Sequence, residues 1–182
     1  MEGVNNGQLR TWVAAWAAEY DKPHDAQLTE LWGAEHLTRR SMEILIGWKF
    51  VAMPHRRARA DRALGEEADQ AIVDITAAAR RCVDDGAALR VVRTLGGVGS
   101  ALGSAALMVM DPTRWTVLDV RALKSIRAIG YTDIPTSPQA TATWPPYLNA
   151  CRDLATHTGA SLRTVDRALF AAAGRRDLPV DA

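Results

Sequence analysis

Leu95-Gly96-Gly97-Val98-Gly99-Ser100 decides the reading of this chain, because helical sequence flanks it on both sides. An apolar run from Ala87 to Thr94 leads into it. A small-residue run from Ser100 to Met110, with Ala101, Ala105, Ala106 and Leu107, leads out. Three glycines in a tight turn between helices supply positive φ without a Cβ clash. They also bare backbone N–H groups beside the N-terminus of the second helix, a natural place for an anion. Gly96, Gly97, Val98, Gly99 and Ser100 are therefore the candidate phosphate-binding residues, with Val98 turned inward as the anchor of the corner. Small residues on the outgoing helix let it pack closely on its partner.

Outward from this corner the apolar spacing is helical almost throughout. Leu9, Trp12, Val13, Trp16 and Tyr20 mark a first helix, broken at Asp21-Lys22-Pro23. Leu37 to Met53 is a second, stopped by Pro54, and Glu66 to Val83 a third. Asp84-Asp85-Gly86 separates it from the hairpin pair. Leu118 to Ile129 is helical and ends at Gly130; Trp144 to Thr156 and Ser161 to Ala173 close the chain. Only Val91-Val92 and Trp115 to Leu118 read as strand-like, and both are too short for a sheet. The expectation is an all-α fold: a two-lobed helical bundle with a helix-hairpin-helix motif. The Pro/Thr/Ser-rich loop after Tyr131 marks a boundary. It divides the 182 residues into a central lobe of about 27–130 and a second lobe from 1–26 plus 131–182.

Composition bounds the function. The chain is 48% hydrophobic and carries a net charge of only +1, so a core is expected and any polyanion must meet local charge. Cys82 and Cys151 are far apart and cannot hold a four-cysteine iron–sulfur cluster, and the four histidines lack metal-ligand spacing. The reading is no metal, no iron–sulfur cluster and buried thiols in a reducing compartment. No signal-like start and no apolar run approaching about 18 residues occurs, which reads as a cytoplasmic protein without a membrane partner.

Twenty residues beyond Gly99, Asp119 opens a helix in Val117-Leu118-Asp119-Val120-Arg121. There the helix dipole and free N–H groups favour an ionised carboxylate. Helix, Gly-Val-Gly hairpin, helix and then such an acid resembles the helix-hairpin-helix DNA glycosylase superfamily, the endonuclease III and alkyladenine glycosylase group. Trp48-Lys49 and the Val-x-Asp-x-Arg segment are similar to an uncharacterised bacterial branch of it. The resemblance extends over about residues 37–130, with the specific motif confined to 95–121. It implies that double-stranded DNA is the partner and that Asp119 is the catalytic carboxylate. In that role Asp119 stabilises the sugar cation and orients water as a flipped base leaves.

The resemblance also implies Arg121 and Lys124 as phosphate contacts and allows a monovalent cation at the hairpin. Gly96 stands where the family usually has proline. Where bifunctional members carry the Schiff-base lysine this chain has Ala101, so a monofunctional enzyme without lyase activity is expected.

Beyond the motif, Arg56, Arg57 and Arg59, with Arg39, Arg40 and Lys49, form a candidate basic patch, against a merely solvated helix face. Trp48, Trp115 and Trp144 are candidate base-pocket walls, with core packing the alternative for each. Arg163 and Asp166 are spaced for a local ion pair. Two other functions compete: a non-catalytic helix-hairpin-helix DNA-binding module, and an α-helical interaction or regulatory domain.

Overall fold

The computed structural model describes residues 6–177, which form nine α-helices, two short 3-10 segments and no strand. No helix among them is long and apolar enough to cross a membrane. The chain divides into two compact units: Lys22–Trp115, and a discontinuous one of Met1–Asp21 with Thr116–Ala182. The glycine-rich segment 95–99 belongs to the first, Asp119 to the second.

In the continuous unit a 3-10 segment (Asp25–Leu31) precedes α2 (Arg39–Lys49), α3 (Pro54–Gly65), α4 (Asp69–Arg81), α5 (Asp85–Val92) and α6 (Ser100–Met110); α1 (Asn6–Ala18) lies in the other unit. Helix α6 is the centre: every residue in it except Ala101 is buried. Gly103 brings α5 close, since a Cβ there would stand 2.7 Å from Cγ1 of Val92 and 3.0 Å from Cδ1 of Leu89. Caps set the helix starts. The Thr38 hydroxyl accepts from the Ser41 N–H at 3.2 Å, and the Asp84 carboxylate accepts from the Ala87 N–H at 2.6 Å. Helix α3 was not anticipated as a separate element. Helix α2 ends at Lys49, short of the expected stop at Pro54; Pro54 instead occupies the first turn of α3, where its missing N–H costs nothing.

Buried polar groups tie the helices together. The Thr76 hydroxyl on α4 donates to Ile72 O at 2.8 Å and accepts from the Leu37 N–H at 2.9 Å, holding the lead-in to α2. Arg39 donates to Asp69 at 2.5 Å, Leu64 O at 2.7 Å and Glu67 O at 2.5 Å, which fastens α2 to the α3–α4 turn. Its guanidinium is thus a structural clamp.

The discontinuous unit packs α9 (Leu162–Ala172) on α1 and on α7 (Val120–Ala128), with α8 (Trp144–Thr158) beside them. The buried Ser125 hydroxyl donates to Leu169 O at 2.7 Å and accepts from the Gly174 N–H at 2.7 Å, joining α7 to the end of α9. Arg163 and Asp166 form the local pair their spacing predicts, but inside the protein: they are 7% and 3% exposed, and Arg163 also donates to the Tyr20 hydroxyl at 3.2 Å. Trp12 and Trp16 of α1 are core residues. Cys82 is half-buried and Cys151 buried, both as free thiols.

Candidate functional site

The glycine corner spans the chain between α5 and α6. Only Gly97 takes positive φ, at 76°. The neighbouring requirement is space. A Cβ on Gly97 would stand 3.0 Å from Cβ of Ala63 and 3.1 Å from Cα of Ala60. One on Gly96 would stand 2.9 Å from Oε1 of Glu67 and 3.0 Å from the Ala63 carbonyl. The corner is therefore seated against α3, and Val98 is buried at its centre.

Its backbone donors are partly used. The Gly96 N–H donates to Oε1 of Glu67 at 2.6 Å and the Val98 N–H to Leu95 O at 3.1 Å. Those of Gly97 and Gly99 take no partner among the described residues. Ser100 opens α6 but is fully buried, so its side chain offers nothing to the surface. The chain has already placed one carboxylate, from Glu67, in the position the sequence reading assigns to an external anion.

Seating on α3 sorts the basic run. Arg56 and Arg59 each stand one helical turn before Ala60 and Ala63, the residues that meet Gly97, so they flank the corner; both are exposed. Arg57 leaves by the other side. It lines a cleft against α2, its Nη2 lying 3.7 Å from where a Cβ on Gly47 would stand. Lys49 departs from the basic-patch reading. It is only 7% exposed, with its ammonium 5.7 Å from the Trp48 ring, because α2 turns that side inward.

Asp119 is the N-cap of α7. Its carboxylate accepts from the Arg121 N–H at 2.9 Å, and the side chain is half-buried at the end of the buried, non-helical run Thr116 to Leu118. Tyr147 of α8 fixes that run by donating to Val117 O at 3.0 Å. Burial pushes the Tyr147 phenol well above its ordinary range, and the carboxylates of Asp166 and Asp119 add to this, so it remains a donor. Arg121 is exposed, its guanidinium 4.3 Å from the centre of the Phe170 ring, and Lys124 is exposed one turn further on. Gly174 packs against Lys124, a Cβ on it lying 3.4 Å from Cβ of Lys124, which brings exposed Arg175 and Arg176 close in the chain to that lysine. Arg175 is folded back on Ala171 O, Ala172 O and the Trp16 ring.

The three candidate pocket tryptophans lie in the core. Trp48, Trp115 and Trp144 are at most 2% exposed. The Trp48 indole N–H donates to Asp25 at 3.2 Å, and that of Trp115 to Asp85 at 2.9 Å. Their rings pack the protein rather than present a stacking face. No group of three or more His, Cys, Asp or Glu placed to hold a metal occurs among the described residues.

Sequence reasoning missed Glu67, whose contact with Gly96 joins residues 29 apart and leaves no local signal. Comparison with known protein families, with curated proteins and with solved structures returns no match.

Proposed function

We propose that the protein binds duplex DNA through its phosphate backbone, with the Gly97–Gly99 corner and the Arg56/Arg59 flank of α3 as the contact surface. The observation that carries this reading is the seating of Gly97 on Ala60 and Ala63. It sets two exposed arginines within one helical turn of backbone donors that have no partner among the described residues. Donors and cations of this kind grip phosphate oxygens without reading bases. A net charge of +1 matches a contact confined to one patch. Binding should weaken linearly in log–log salt titration, with a slope of about −0.9 per phosphate neutralised.

A second reading, base release by water, is favoured by the Asp119 cap. The carboxylate at the start of α7 is held by a backbone N–H and faces the positive end of the helix dipole, which favours the ionised form needed beside a developing sugar cation. Ala101 offers no amine, so the reaction would leave an abasic site without β-elimination. The test is a panel of duplexes carrying single modified bases, treated with alkali after incubation. The expected result is base release by the wild type, none by Asp119→Asn, and DNA binding retained in both. Binding without release across the panel would leave a non-catalytic module, and no binding at low salt would remove both readings.

A further inference from the structure

Between the 3-10 segment, α2 and α3 of the continuous unit lies a cleft of about 500 Å³, within the size range of small-ligand sites. Its walls carry His24, Gln27, Arg40, Glu43, Arg57 and Asp61. Two of these are arginines on different helices, and neither guanidinium makes a hydrogen bond among the described residues. Arg40 stands 3.7 Å from Glu43 and Arg57 3.7 Å from Asp61, both beyond hydrogen-bonding reach. The carboxylates hold the guanidinium groups near the cleft without using their donors. Gln27 and His24 likewise have no side-chain hydrogen bond among the described residues. Arg39 lines the same cleft, but its three bonds to Asp69, Leu64 and Glu67 commit it to the fold.

His24 adds a second, independent mark. It is a non-glycine residue in the left-handed region, at φ 65°, with an exposed side chain and no capping bond to account for it. Such backbone strain persists only where the surroundings impose it, and it gathers at ligand clamps. Here it turns the chain in the wall of the cleft, immediately before the segment that carries Gln27.

We propose that this cleft binds a phosphate monoester, with Arg40 and Arg57 gripping the phosphate from two sides and Gln27 and His24 completing the ring of donors. The planar guanidinium fork matches phosphate oxygens in pairs. Each guanidinium lies 3.7 Å from a carboxylate of its own helix, Glu43 for Arg40 and Asp61 for Arg57, and a phosphate dianion would bridge the two helices, which neither carboxylate does. The phosphate could be that of a free small molecule or the terminal phosphate of a nucleic-acid strand. The site is separate from the Arg56/Arg59 flank, and its test does not depend on duplex binding.

The experiment is an NMR titration of the full chain with inorganic phosphate at low chloride, following the arginine Nε–H signals and the backbone amides of His24 and Gly47. Saturable shifts at Arg40 and Arg57, weakened about tenfold by Arg40→Gln or Arg57→Gln and unchanged by Arg56→Gln, support the site. Both arginines are exposed, so these variants should keep the wild-type melting curve. A 5′-phosphorylated oligonucleotide that binds more tightly than its 5′-hydroxyl twin, with the preference lost in Arg57→Gln, identifies a strand end as the ligand. Phosphate binding with no such preference identifies a free phosphomonoester. Absence of saturable shifts at millimolar phosphate, or full binding by the double variant, overturns the proposal.

Discussion

The N–H of Gly96 donates to the carboxylate of Glu67 at 2.6 Å, so the turn before α4 supplies an anion to the glycine corner from within the chain. This bond has two opposed effects. It anchors the corner on the α3–α4 turn, and it sets a negative charge beside the donors proposed to meet a phosphate. Glu67→Gln keeps a hydrogen-bond acceptor and removes the charge. Duplex affinity is expected to rise about two- to fivefold at low salt, with the gain vanishing as salt screens the corner. Stability should fall by about 1 kcal/mol, since the carboxylate is partly exposed to water. Fluorescence anisotropy across a salt series and urea unfolding measure the two effects.

Gly97 has no room for a methyl group. Its φ of 76° and the 3.0 Å approach of Ala63 act together, so Gly97→Ala is expected to destabilise the fold by about 2 kcal/mol or more. Gly99 lies at φ −87°, where any residue is at ease, and Gly99→Ala should cost far less. Urea midpoints of the two variants, compared at constant m-value, separate a conformational requirement from a merely glycine-rich loop.

Tyr147 is a positioning residue for the Asp119 segment. Tyr147→Phe removes the donor to the buried Val117 carbonyl and should cost about 1–3 kcal/mol. If Asp119 acts in base release, the same variant should lower the release rate while leaving duplex affinity unchanged. A loss in stability alone, with release intact, assigns Tyr147 to the fold only.

Alkali should weaken the protein through Cys151. Burial pushes its thiol far above the ordinary range, and the nearby carboxylate of Asp166 adds to the shift. Above the free thiol value of about 8.5 the unfolded chain releases this proton and the folded chain keeps it. The unfolded state then binds fewer protons, so stability falls as pH rises, by about 1.4 kcal/mol per pH unit for this one group. Urea midpoints between pH 8 and 10 should decline steeply in the wild type. In Cys151→Ala the decline should begin only as the buried tyrosines come into play near pH 10.

The helical pattern was legible because apolar spacing and stop signals agree over most of the chain. Thr38, Asp84, Asp119 and Ser161 cap α2, α5, α7 and α9 with their side chains. Helix α3 was harder to read. Only Ala60 and Leu64 of it are buried, so the apolar stripe is too thin to stand out from a run of arginines. A tight glycine-rich turn predicts positive φ at several glycines; the structure makes that demand at Gly97 and a demand for space at Gly96. Space is set by Ala63 and Glu67, which a local reading of 95–100 does not contain. Lys49 and Asp166 make the same point for charge. Their types suggest surface, and their burial follows from which face of α2 and α9 packs inward. Arg57 parts from Arg56 and Arg59 for a helical reason: adjacent residues do not share a face.

That parting gives the most direct measurement. Duplex binding by the full chain should be followed by anisotropy from 50 to 300 mM salt, about the range over which phosphate contacts dominate, for the wild type, Arg56→Gln/Arg59→Gln and Arg57→Gln. The account predicts that the double variant loses at least about tenfold in affinity and that its log–log salt slope shrinks by about two, while Arg57→Gln stays close to the wild type. Equal binding by all three, or no duplex binding at the lowest salt, would contradict it.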